Sequence, residues 1–200
     1  MVLRILLLTG WLLVGVAGAV AHLVGPGVER RQTDAAAAHL RAAEAAARAG
    51  DYGVAVDRYN DALKSLPEGR AAESRKIRLE RAKAQMLSRQ LPDAHADLTG
   101  LVDELAADTA ADPQLLADAR STLANSQYYM TWLMRLEGFG RDVWEPEVES
   151  ARQTYKLLAE EAEQRGDAPA AKKHREDLEA SIRLARMELA DLQGLPLPSQ

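Results

Sequence analysis

Two hydrophobic patterns follow one another along the chain. Residues Ile5 to Val24 form an almost unbroken apolar run of about 20 residues, the length that spans a bilayer's hydrocarbon core. From Asp34 onward apolar residues recur instead every three or four positions, the period of helices with one buried face. Gly25-Pro26-Gly27 separates the two regimes and predicts a short linker over 25–33. An alanine-rich helix is expected from an Asp34 N-cap to Ala49, with Gly50 just past its end. The next helix carries Tyr52, Ala55, Val56, Tyr59, Ala62 and Leu63 on one stripe and stops at Pro67. A second pair is expected over Arg75–Leu105. Ile77, Leu79, Ala82, Met86 and Leu87 form its first stripe; Ala94, Leu98, Leu101 and Val102 form its second, which opens at Pro92. Gly100 lies inside that second helix, at a cost of about 1 kcal/mol relative to alanine.

Further helices follow. Asp112-Pro113 begins one that continues to Leu136, and Gly138 and Gly140 frame a turn. Glu145-Pro146 is expected to start the next, which ends at Arg165-Gly166. Asp167 then caps a last helix whose stripe steps through Ala171, His174, Leu178, Ile182, Ala185, Leu189 and Leu192 before Gly194 and Pro196.

The Gly50–Pro67 segment closely resembles the second half of a tetratricopeptide repeat, and with the helix before it makes a hairpin of about 34 residues, the period of that family. Gly50, Tyr52, Ala55, Tyr59, Ala62 and Pro67 all fit the family pattern. The first helix departs from it: His39, Ala42, Ala43 and Ala46 stand where the family often has Trp-x-x-Leu-Gly-x-x-Tyr. The resemblance is looser over Arg75–Leu105 and only architectural beyond. It implies an all-α domain over 34–193, with hairpins at about 36–69, 75–105 and 112–165 stacked as a short solenoid. A cap at 168–193 and a tail at 194–200 complete it. It also implies a protein-protein interaction module or assembly scaffold that performs no chemistry.

Composition agrees with helices, since alanine, leucine, arginine and glutamate dominate. A net charge of -5 argues against a general nucleic-acid binder. The chain has no cysteine, which excludes disulfides, thiolate-held zinc and a cysteine nucleophile. Arg4 precedes the apolar run, and Ala17-Gly18-Ala19 and Ala19-Val20-Ala21 are acceptable cleavage sites. Residues 1–24 are therefore a transmembrane anchor or a cleaved signal. The run exceeds a usual signal core and continues past both sites, which favours a retained single-pass anchor through 5–24 with the helical domain outside the cytoplasm. A periplasmic or secreted soluble form is the alternative.

No phosphate loop, nucleophile elbow or dinucleotide fingerprint occurs, and the histidines are isolated in sequence. No catalytic residue, metal, cofactor or small-molecule substrate is expected. Two features stand out as partner-binding candidates. Arg70, Arg75, Lys76, Arg78, Arg81, Lys83 and Arg89 make one helix basic in an acidic protein. By the family alignment, Lys76, Leu79, Lys83 and Met86 occupy positions that line a concave groove, which suits an acidic peptide or a C-terminal carboxylate. The alternative is a solvated helix balanced by Asp93 and Asp97. The family's carboxylate clamp is not supported: Leu40 and Glu44 stand at its positions in the first repeat, Leu79 and Lys83 in the second. The second feature is the cluster Tyr128, Tyr129, Trp132, Phe139, Trp144 and Tyr155, which reads mainly as core, with Tyr128 or Tyr129 as its exposed member. An enzyme site in that stretch would need a nucleophile–base pair or metal ligands, and a coiled-coil seam on the last helix would be weakened by Ala171, His174 and Ala185.

Overall fold

The computed structural model describes residues 26–193, and every element among them is an α-helix: α1 (Pro26–Arg48), α2 (Tyr52–Ser65), α3 (Ala71–Leu87), α4 (Leu91–Ala107), α5 (Pro113–Leu136), α6 (Arg141–Gln164), α7 (Ala168–Arg186) and the short α8 (Leu189–Gln193). The apolar run over 5–24, expected as an anchor, and the tail 194–200 lie outside the described residues. Among those residues no helix is long and apolar enough to cross a membrane.

Short turns reverse the chain between helices, so neighbours in sequence lie antiparallel. Contacts run mainly between consecutive helices from α1 through α7. Lighter contacts join α3 to α5 and α5 to α8. The turn after α1 shows how the reversals are made. Gly50 takes φ +83°, and the Asp51 N–H donates to the Ala46 carbonyl at 2.9 Å, satisfying an acceptor the helix end would otherwise leave open. The same closing bond recurs from Gln90 to Gln85, Phe139 to Met134 and Asp167 to Ala162. After α3 the left-handed residue is Arg89, at φ 65°. Asp112 and Asp167 cap their helices as expected, accepting from the Gln114 N–H at 3.0 Å and the Ala170 N–H at 3.1 Å.

Three boundaries differ from the sequence reading. Residues 26–33, expected as a linker, belong to α1, so Asp34 lies inside a helix rather than capping one. Pro26 opens that helix, where a missing N–H costs nothing. Helix α6 begins at Arg141 and carries Pro146 internally. So near the start, the proline removes only the bond to the Asp142 carbonyl, and Arg141 braces the first turn through Glu145 at 2.6 Å. The last helix, expected to be continuous over 168–193, breaks after Arg186. Arg135 of α5 explains the break: its guanidinium donates to the carbonyls of Leu184 and Met187. Those acceptors end α7 there, and α8 folds back onto α5, burying Leu192 fully.

The core is a series of linked clusters. Ala43, Ala55, Val56, Tyr59 and Ala62 join the first two helices to Ile77 and Ala84 of α3. Leu79, Leu98, Leu101, Leu105 and Leu115 knit α3, α4 and α5. Trp132 and Trp144 then pack with Val148, Leu184 and Leu192 at the far end. Alanines at the first seam let backbones approach closely, while leucines and tryptophans fill the wider gaps beyond.

Candidate binding site

Most of the positive charge of α3 is taken up inside the molecule. Arg75 donates to Glu104 at 2.8 Å and to Asp108 at 2.6 Å, and Arg78 donates to the same Glu104. Arg81 joins Asp97 at 2.7 Å and the Asn60 side-chain oxygen at 2.9 Å. Arg75, then Arg78, hold the Glu104 carboxyl below its usual range; Arg75 and the Ala110 N–H do the same for Asp108. The arginines therefore staple α3 to α4. Asp97 plays the balancing part expected of it, and Glu104 and Asp108 join it.

The predicted groove residues separate. Leu79 is 2% exposed and belongs to the core joining α3 to α4 and α5. It and Lys76 border only a recess of about 390 Å³. Lys76 is exposed and makes no ion pair with a described residue. Lys83, Met86, Tyr128 and Tyr129 instead come together in a hollow of about 650 Å³. Lys83, which donates to Glu80 at 2.7 Å, and Met86 form its α3 wall. On α5, Ser121, Thr122, Asn125, Tyr128 and Tyr129 line the hollow, all on one face at helical spacing. Lys173, Asp177 and Ala180 face it from α7. Tyr155 of α6 closes the floor at 3% exposure.

Tyr128 and Tyr129 are both half-buried, although only one was expected at the surface. The pair straddles the site: Tyr129 packs toward the α3–α4 core and Tyr128 toward the tryptophan core, with their rings edge-to-face at 5.6 Å. Trp132 and Trp144 are buried, whereas Phe139 is 49% exposed. Burial raises the pKa of all three hollow tyrosines, so they stay neutral. Behind Tyr155 lies His174, whose pKa is lowered by burial and then by Lys173.

Tyr155 was legible only as core, and Asn125, Lys173 and Asp177 were not singled out from the sequence. Their signal was weak but present: Ser121, Asn125 and Tyr128 recur on one face of α5, and Lys173, Asp177 and Ala180 on one face of α7. His95, isolated in sequence, meets Glu147 at 3.2 Å and ties α4 to α6. Among the described residues no three potential metal ligands cluster. No family model matches the chain, and no curated protein does either.

Proposed function

We propose that this chain is a non-catalytic, tetratricopeptide-type binding module that holds an extended segment of a partner protein in the hollow between α3, α5 and α7. One observation carries the reading: α3, α5 and α7, alternate helices along the chain, turn polar and aromatic side chains toward one open hollow. Asn125 offers both a donor and an acceptor to a passing main chain, while Met86 and the tyrosine rings offer apolar contact. The recess beside Lys76 lies on the same side of α3, one to two turns nearer its start, and suits a chain running along the helix. The apolar run over 5–24 supports a membrane anchor that presents the module outside the cytoplasm.

The test is comparative capture with the full-length chain in detergent. Asn125→Arg fills the hollow with a long charged side chain, whereas Asp57→Arg alters an exposed site on α2. A partner held by the wild type and by Asp57→Arg, but lost with Asn125→Arg, supports the hollow. Equal loss or equal retention in the two variants overturns it. Sequencing the N-terminus of membrane-fraction protein tests the anchor: an intact Met1 supports it, and a chain beginning near Val20 or His22 overturns it.

A further inference from the structure

We propose that the hollow selects an acidic side chain of the bound segment, whose carboxylate accepts the hydrogen bond of the Tyr155 hydroxyl under the charge of Lys83 and Lys173. The inference rests on the reading of the hollow as the binding site and names what it reads.

The Tyr155 ring is packed against Ala124, Ala151 and Leu178, and the residue is 3% exposed. Its hydroxyl makes no hydrogen bond with a described residue, yet it is absent from the buried atoms that lack a partner. The small surface it retains therefore includes the oxygen, at the floor of the hollow. A hydroxyl that reaches the hollow without a protein partner is free to donate to an arriving ligand. Burial, followed by the Asp177 carboxylate, keeps the phenol protonated, so it arrives at the ligand as a donor.

Charge decides which acceptor fits. Lys83 and Lys173 face the hollow from two different helices, α3 and α7, and Asp177 is the one carboxylate among its described lining residues. Asp177 already accepts from Lys173 at 2.8 Å. Each ammonium group spends one donor, on Glu80 and Asp177 respectively, and keeps others for a ligand. A basic side chain would find the tyrosine rings attractive but would enter between two cations with the local carboxylate already engaged. An acidic side chain meets a fixed donor below and mobile cations on either side.

The probes are pentapeptides blocked at both ends, acetyl-Ala-Leu-Glu-Leu-Ala-amide and its central Gln and Lys counterparts. Blocking removes the terminal carboxylate, so only the side chain can answer. Each is titrated to millimolar concentration against the full-length chain in detergent, with the Met86 methyl resonance as reporter. The Glu peptide is expected to bind about tenfold more tightly than the Gln peptide, and the Lys peptide most weakly. Tyr155→Phe should remove most of the preference for Glu over Gln, with an unchanged melting profile. Lys83→Gln with Lys173→Gln, both at the surface, should weaken the Glu peptide and flatten its salt dependence. Equal binding of the Glu and Gln peptides, or preference for Lys, overturns the carboxylate assignment while leaving a site in the hollow. If no probe moves Met86, the assignment falls; the hollow falls with it only if Asn125→Arg also leaves partner capture intact.

Discussion

His174 lies against Tyr155 across the α6–α7 seam, their rings 26° from parallel with centroids 6.4 Å apart. Its Nδ1 has no hydrogen-bond partner among the described residues and stands 4.0 Å from the nearest Asp177 oxygen. Burial and Lys173 disfavour the protonated form in the folded state, and Asp177 only partly offsets them. The unfolded chain therefore binds the extra proton more readily. Stability should fall as pH drops below the ordinary histidine value of about 6.5 and level off beneath the lowered folded value. Thermal melts between pH 8 and 5 should show this fall, and His174→Phe, which keeps the stack, should remove it. A second loss should begin as pH falls past about 4 and the depressed carboxyls of Glu104 and Asp108 protonate. The histidine variant should retain that second loss.

Arg135 is expected to be the residue on which the end of the molecule depends. It reaches two carbonyls at the close of α7 and lies 4.8 Å from the centre of the Trp144 ring. Arg135→Met keeps the stem but removes the donors, and should cost about 1.5–3 kcal/mol in urea unfolding. Arg135→Lys should not restore the loss, because an ammonium lacks the planar fork that spans both carbonyls. A neutral result would assign the break after Arg186 to another cause.

At the first seam, Ala55 is fully buried among Ala43, Tyr59 and Ala62. Ala55→Trp should cost about 1–3 kcal/mol or more by overpacking, whereas Asp57→Ala, two residues away and exposed, should stay within about 0.5 kcal/mol. Equal losses in denaturant titrations would contradict the packing of α1 on α2.

Arg89 occupies the left-handed position that glycine fills after α1, α5 and α6. Relief of its Cβ crowding should exceed the entropy glycine adds to the unfolded chain, so Arg89→Gly should stabilise by about 0.5–1 kcal/mol. The denaturation midpoint should rise with an unchanged slope.

Local rules made much of the helical order legible. Gly50, Asp112, Asp167 and Gly166 mark boundaries because each satisfies or spares backbone groups within its own turn. Ala55, Tyr59 and Ala62 disclosed their buried face through spacing alone. The misplaced boundaries depend on context: Pro146 is tolerated because Arg141 and Glu145 brace the turn, and α7 stops because Arg135 arrives from a helix about 50 residues earlier. The basic helix was legible in part for the same reason: Asp97 was named as a balancing neighbour, but Glu104 of α4 and Asp108 just past its end, which take up Arg75 and Arg78, were not. The hollow was half legible. Lys83 and Met86 by alignment, and the tyrosine pair by its clustering, stood out as separate candidates, but their meeting with each other and with Lys173 and Tyr155 depends on how successive helices pack.

That packing gives the hollow a mechanical character. Its three walls are helices with few direct contacts: α3 and α5 touch lightly, and α5 and α7 meet chiefly through α6. The span from Lys83 to Lys173 is therefore the accumulated result of small rotations at several interfaces. A segment lying across it would act as a rivet through otherwise nearest-neighbour joints. Amide exchange would then slow in α3, α5 and α7 together, turning a row of separately breathing helices into one stiff body.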